Sequence, residues 1–201
     1  ITDKVAESAE ITSFYLTPTD GGPLPAFRPG QYTTVRVFVP EWNVMQPRQY
    51  SLSDAPGSAA FRISVKREPS SGAGLPAGLS SNHLHDSVAG GDVLQADGPR
   101  GEFVLDEASP RPVVLLSGGV GLTPMVAMLH ALAHRTTRRT LFVHACENGD
   151  VHAMRDEVAG LIATRAGLSA HHCYRTPSAE DHANGHFHSE GIITRDLLQK
   201  L

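Results

Sequence analysis

The chain has 201 residues with a net charge of −4, 40% hydrophobic and 19% charged, the balance of an ordinary globular protein. The acidic charge offers no global positive field to nucleic acid or anionic lipid, and no apolar run approaches the roughly 18 residues of a membrane span. Cys146 and Cys173 form no C-x-x-C pair, so they read as thiols of a reducing cytoplasm, and Ile1 opens no secretory leader.

Up to residue 97 the pattern is of short strands and turns. Ile11–Leu16 reads as a strand, and Thr17–Gly30, dominated by Pro, Asp and Gly, as loop. Gln31–Val39 is β-branched, with Val35, Val37 and Val39 on one face by period two. Arg48–Ser53 and Phe61–Lys66 are further strands, the second alternating Phe61, Ile63 and Val65 with Arg62, Ser64 and Lys66. Ser70–Gly78, rich in Gly, Ser and Pro, is predicted to be a mobile loop, Asn82–Val88 a short helix and Val93–Asp97 a strand. Many short strands divided by turn signals predict a small antiparallel barrel.

After about Asp106 the pattern changes. Val113–Ser117 is a continuous apolar strand, the kind buried on both faces of a parallel sheet. Met125, Met128, Leu129 and Leu132 mark one face of a helix. Thr123 is placed to cap it and Pro124 to stand in its first turn. Thr140–Ala145 and Leu168–Tyr174 are strands, separated by a helix marked by Met154, Val158, Leu161 and Ile162; Pro177–Gly185 reads as loop. The alternation predicts βαβ units on a parallel sheet. The boundary falls in the linker Glu107–Pro112, giving a barrel over residues 1–108 and an α/β unit over 109–201.

Two segments carry chemistry. Ser117-Gly118-Gly119-Val120-Gly121-Leu122-Thr123-Pro124-Met125 joins a strand to a helix. Its glycines allow close backbone approach, and the helix start offers free N–H groups and a positive dipole end, a seat for a pyrophosphate. It is neither a G-K-[ST] loop nor a full G-x-G-x-x-G; a tight packing turn is the plainer alternative. In Arg48-Gln49-Tyr50-Ser51-Leu52-Ser53 the guanidinium is suited to a phosphate, the phenol to a ring edge and the Ser51 hydroxyl to a reactive flavin nitrogen, the plainer alternative being a polar edge strand.

In this order, on a barrel followed by a parallel unit, these segments resemble the ferredoxin–NADP reductase superfamily. Its R-x-Y-S signature stands at Arg48–Ser51, its G-Q-Y strand at Gly30-Gln31-Tyr32, its G-P-x-G-x-F turn at Gly98–Phe103 and its G-V-G-x-T-P-M motif at Gly119–Met125. Within it the chain is most similar to the reductase half of flavohaemoglobins, carried by Arg28–Tyr32, Ile63–Glu68, Ser81–His85 and His144–Ala153. The resemblance implies an FAD-binding antiparallel barrel followed by an NAD-binding βαβ domain, which passes electrons from NAD(P)H through FAD to a globin haem that turns nitric oxide into nitrate. The haem is then expected only in a globin domain, N-terminal in the parent chain. The family's C-G-P strand does not follow Thr194–Leu201, so the parallel sheet is expected to end in an unpaired edge. An oxygenase reductase serving an iron–sulfur partner is the alternative within the superfamily, and a regulatory module that binds little nucleotide the alternative outside it.

The resemblance assigns roles. Arg48 and Gln49 approach the FAD phosphates, Tyr50 and Tyr32 fix the ring and its tail, and Ser51 bonds the nitrogen where hydride arrives. Ser80, Ser81 and Asn82 offer donors at a helix start. Gly119, Val120, Gly121, Leu122, Thr123 and Pro124 take the nicotinamide dinucleotide, with Thr123 either touching the carboxamide or capping its helix. Glu147, after the second parallel strand, would repel a 2′-phosphate and favours NADH over NADPH, although Arg175, just after the third parallel strand, is a cation able to reach the same site. His182, His186 and His188 with Asp181 and Glu190 have spacings open to zinc, but they lie in a polar stretch and are expected to be surface histidines with no metal.

Overall fold

The period-two segments of the first hundred residues pair into two antiparallel sheets. The computed structural model describes residues 1–70 and 77–201; most of the predicted Ser70–Gly78 loop, residues 71–76, lies outside the described residues. One sheet has the order β1 (Asp3–Ala6), β2 (Ile11–Leu16), β5 (Phe61–Lys66); the other has β4 (Val44–Ser51), β3 (Tyr32–Val39), β6 (Gln95–Ala96). An antiparallel bridge between Leu52 and Ile63 joins the sheets. Val35, Val37, Phe14, Leu52 and Ile63 turn inward from both and are at most 2% exposed with Leu84 of helix α1 (Leu79–Ser87).

The second half is a four-stranded, all-parallel sheet in the order β10 (Ser189–Glu190), β9 (Leu168–Tyr174), β8 (Thr140–Cys146), β7 (Val113–Gly118). Helix α2 (Leu122–Arg135) packs on β7 and β8, and α3 (Arg155–Ala163) on β9 beside α2. Short helices α4 (Ala179–Asn184) and α5 (Arg195–Leu198) follow. Among the described residues no helix is long and apolar enough to cross a membrane.

Several local expectations are corrected. Val113–Ser117 is not buried on both faces: β7 is the sheet edge, and Val114 and Leu116 are 52% and 42% exposed. An apolar run has no intrinsic side, so only the position of α2 decides which residues it covers. Pro177–Gly185 is not all loop, because Ser178 and Asp181 form a capping box that starts α4. Thr123 does not cap α2. The N-cap is Gly121, with no side-chain bond, and the Thr123 hydroxyl donates to Val120 O at 3.1 Å inside the first turn. Helix α1 begins three residues before Asn82, and the strand expected at Val93–Asp97 shrinks to β6.

The halves share core. Ile11 and Leu105 of the barrel side pack with Leu115, Leu129 and Phe142 of the parallel side. At Gly30 the barrel meets α2 closely: its φ is +105°, and a Cβ there would lie 2.6 Å from Met128 Cε as well as 2.2 Å from Phe103 O of its own half. Arg138 pins the linker by donating to Asp106 O at 2.7 Å and Arg111 O at 2.8 Å.

Candidate active site

Strand β4 ends at the seam between the halves. There Arg48, Gln49, Tyr50 and Ser51 line a cleft of about 470 Å³ together with Val120, Gly121, Thr123 and Pro124 of the parallel half. Ser80 and Ser81 line it too, with Ser64 and Lys66 of β5. Ten of the expected site residues (Arg48, Gln49, Tyr50, Ser51, Ser80, Ser81, Val120, Gly121, Thr123 and Pro124) thus meet in one place.

The others sit nearby in different ways. Tyr32 is paired with Ser51 across β3 and β4 but does not line the cleft; its ring leans on Gly101, where a Cβ would come within 3.0 Å of it. Asn82 is engaged structurally, its Nδ2 donating to Glu68 O at 3.0 Å and Gly78 O at 2.9 Å while its Oδ1 accepts from Arg67. Leu122 is 1% exposed in the core, so only its backbone is left for a ligand. Gly119 and Glu147 line a second pocket of about 360 Å³, with Val120, Cys146, Arg175 and Ile192. It adjoins the first through Val120 and Lys66.

The donor chemistry fits a flavin dinucleotide in the larger cleft. The buried Ser80 hydroxyl has no partner among the described residues. It lies in the first turn of α1, a turn with no side-chain cap bond and no acidic residue, so among the described residues its amide dipoles favour an anion. Among the described residues the exposed Arg48 guanidinium donates to Gln46 Oε1 at 3.3 Å and Pro47 O at 2.8 Å. Burial pushes the Tyr50 phenol up to about 12, against a smaller opposing pull from Arg48; it therefore keeps its proton as a donor. The 3-10 turn Gly119–Gly121 fits a second dinucleotide. Gly119 has a φ of +50°, Gly119 and Gly121 face open space, and the α2 start carries no acid. Glu147 accepts a hydrogen bond from the Thr176 hydroxyl at the rim.

Sequence reasoning missed Ser64 and Lys66 as cleft residues, although their period-two placement on β5 already set them on one face. Of the candidate zinc histidines, His186 accepts from Arg155, His188 accepts from the His172 amide, and His182 stands 3.7 Å from Glu190.

A barrel strand bearing Arg-Gln-Tyr-Ser that shares a cleft with the glycine turn of a βαβ unit defines a pyridine-nucleotide-linked flavin oxidoreductase. Residues 1–105 match the oxidoreductase FAD-binding domain family and residues 115–201 the oxidoreductase NAD-binding domain family. The solved FAD/NAD-binding domain of nitric oxide dioxygenase from Vibrio cholerae is 38% identical, with a TM-score of 0.87 over 97% of this chain and 78% of that one. The flavohemoproteins of Bordetella pertussis (52% identical over 94% of this chain and 47% of the relative) and Bacillus thuringiensis (45% over 100% and 50%) are also similar. The chain belongs to the flavohaemoprotein family of FAD- and NAD-binding reductase domains, and it spans about half the length of the curated relatives it matches.

Proposed function

We propose that this chain is the reductase half of a cytoplasmic flavohaemoprotein, carrying electrons from NADH through FAD to the haem of an N-terminal globin domain and so supporting nitric oxide dioxygenation. The observation that carries the reading is the single cleft shared by Arg48–Ser51 and Val120–Pro124. Residues 1–108 form the flavin half and residues 109–201 the nicotinamide half. Bound FAD would supply acceptance of a hydride from NADH and its release as single electrons, while the residues of this chain supply position and electrostatics.

Arg48, Gln49 and the start of α1 at Ser80 and Ser81 bind the FAD pyrophosphate, with Asn82 holding that helix start to Glu68 O. Tyr50 holds the ring and Ser51 donates to the nitrogen that receives the hydride, while Tyr32 braces the end of β4 through its pairing with Ser51. Gly119–Pro124 bind the NADH pyrophosphate. Glu147 disfavours a 2′-phosphate, which supports NADH as the donor. The test is a visible spectrum of the flavin-loaded protein. Anaerobic NADH should bleach the flavin bands, NADPH should do so more slowly, and with carbon monoxide present in the full-length protein the ferrous haem–CO band should rise. A flavin that binds but stays oxidised under NADH would overturn the reading.

A further inference from the structure

A second polar cluster lies on the seam between the halves, outside the cleft. Arg62 of β5 is 4% exposed. Its guanidinium reaches in two directions. Nε donates to Ser53 Oγ at 3.2 Å and Nη2 to Ser53 O, two residues beyond Ser51. Nη1 and Nη2 also donate to Glu157 Oε2 and Oε1 of α3, both at 2.8 Å, forming a bidentate pair. Glu157 Oε1 accepts a further bond from His130 Nε2 of α2 at 2.7 Å, and Asp54 Oδ1 stands 3.9 Å from the same nitrogen. Ser53 Oγ continues to Ser64 Oγ at 2.8 Å, and Ser64 lines the flavin cleft.

The ligand atoms of Asp54, His130 and Glu157 fall within 4.8 Å of one another, a spacing open to a divalent cation. Arg62 argues against one, because both Glu157 oxygens are taken and a guanidinium beside them would repel a second cation. Burial raises the cost of the Glu157 charge, yet the bonds from His130 and Arg62 outweigh it and hold the carboxyl down to about 2. A buried bidentate pair fixes geometry more than it adds stability. This one ties the end of the flavin strand to helices α2 and α3 of the nicotinamide half, and α2 starts at the glycine turn.

We infer that Arg62, Glu157 and His130 are positioning residues that hold the nicotinamide half in register with the flavin strand for hydride transfer. The inference rests on the reductase reading above. Misplacement by about 1 Å can cost up to about 100-fold in such a step. The test is anaerobic stopped-flow reduction of the FAD-loaded protein over a range of NADH concentrations. His130→Ala removes the tie to α2 and leaves the ion pair standing. Its limiting reduction rate should fall about tenfold, with FAD content intact, NADH affinity within about twofold and the charge-transfer absorbance of reduced flavin with NAD⁺ weakened. His130→Gln, which keeps a donor toward Glu157, should recover much of the rate. Glu157→Gln should lose more, and where it fails to fold the histidine pair decides. Wild-type protein reduced normally and His130→Ala reduced equally fast would overturn the inference while leaving the reductase reading intact. Wild-type flavin untouched by NADH would instead sink the reading beneath it.

Discussion

Ser51 brings one hydroxyl to the cleft at the end of β4, beside a Tyr50 phenol that burial keeps protonated. A hydrogen bond felt in the transition state is worth about 1–2 kcal/mol, so Ser51→Ala should slow flavin reduction by about tenfold with FAD content unchanged, as read by stopped-flow absorbance. An unchanged rate would remove Ser51 from the chemistry. Glu147 acts at longer range. It is exposed at the rim of the smaller pocket with Arg175 opposite in charge beside it, and its effect is electrostatic and salt-sensitive. Glu147→Gln should raise kcat/KM for NADPH several-fold while that for NADH stays within about twofold, and the gain should shrink at high ionic strength. Both positions were legible in the sequence because a short motif and a strand end fix them locally. Lys66 and Ser64 were not, since the cleft wall they form exists only once β5 lies beside β4.

At the scale of elements, β7, β8 and β9 bring polar side chains together that are far apart in the chain. Ser117, His144 and His172 are register partners on adjacent parallel strands, and His152 lies against them with ring centroids 5.1 Å from His144 and 4.6 Å from His172. Burial, with His172 close by, holds His144 down to about 4 and His152 to about 2; burial and His188 hold His172 to about 4. The unfolded chain takes up these protons near 6.5. The folded chain refuses them, so acid favours unfolding. The stability these rings allow is complete above about pH 6.5 and is lost as pH falls below it, through about 4 for His144 and His172 and lower still for His152. Urea unfolding at pH 7, 6 and 5 should show this slope, and His144→Gln with His172→Gln should flatten it. Glu157, held low, contributes in a separate window below about pH 4.5, so equal slopes in both proteins between pH 7 and 5 would exclude His144 and His172 as the cause.

Across the whole molecule, the two halves are held by shared core, by the Arg138 bonds to the linker and by the close contact at Gly30. Gly30→Ala places a Cβ against Phe103 O at a φ that side chains avoid. The strain is about 2 kcal/mol or more, and thermal unfolding should move down by about 4 °C or more. Because the displaced atoms include Met128 of α2, flavin reduction should slow as well. A variant with wild-type Tm would mean that the seam yields more easily than its distances imply.

Period-two and 3.6-residue patterns, the glycine turn and the Arg-Gln-Tyr-Ser strand are local, and the sequence alone therefore determined the barrel, the parallel unit, their order and most of the residues now gathered in the cleft. Tertiary structure decided what depends on neighbours: that β7 buries one face because α2 covers only one side, that Leu122 turns into the core, that Thr123 bonds within its helix. It also decided that Arg62 and Glu157, 95 positions apart, meet across the seam. No periodicity encodes such a meeting, since it arises only when two separately folded surfaces pack together and the buried charge on one must find its partner on the other.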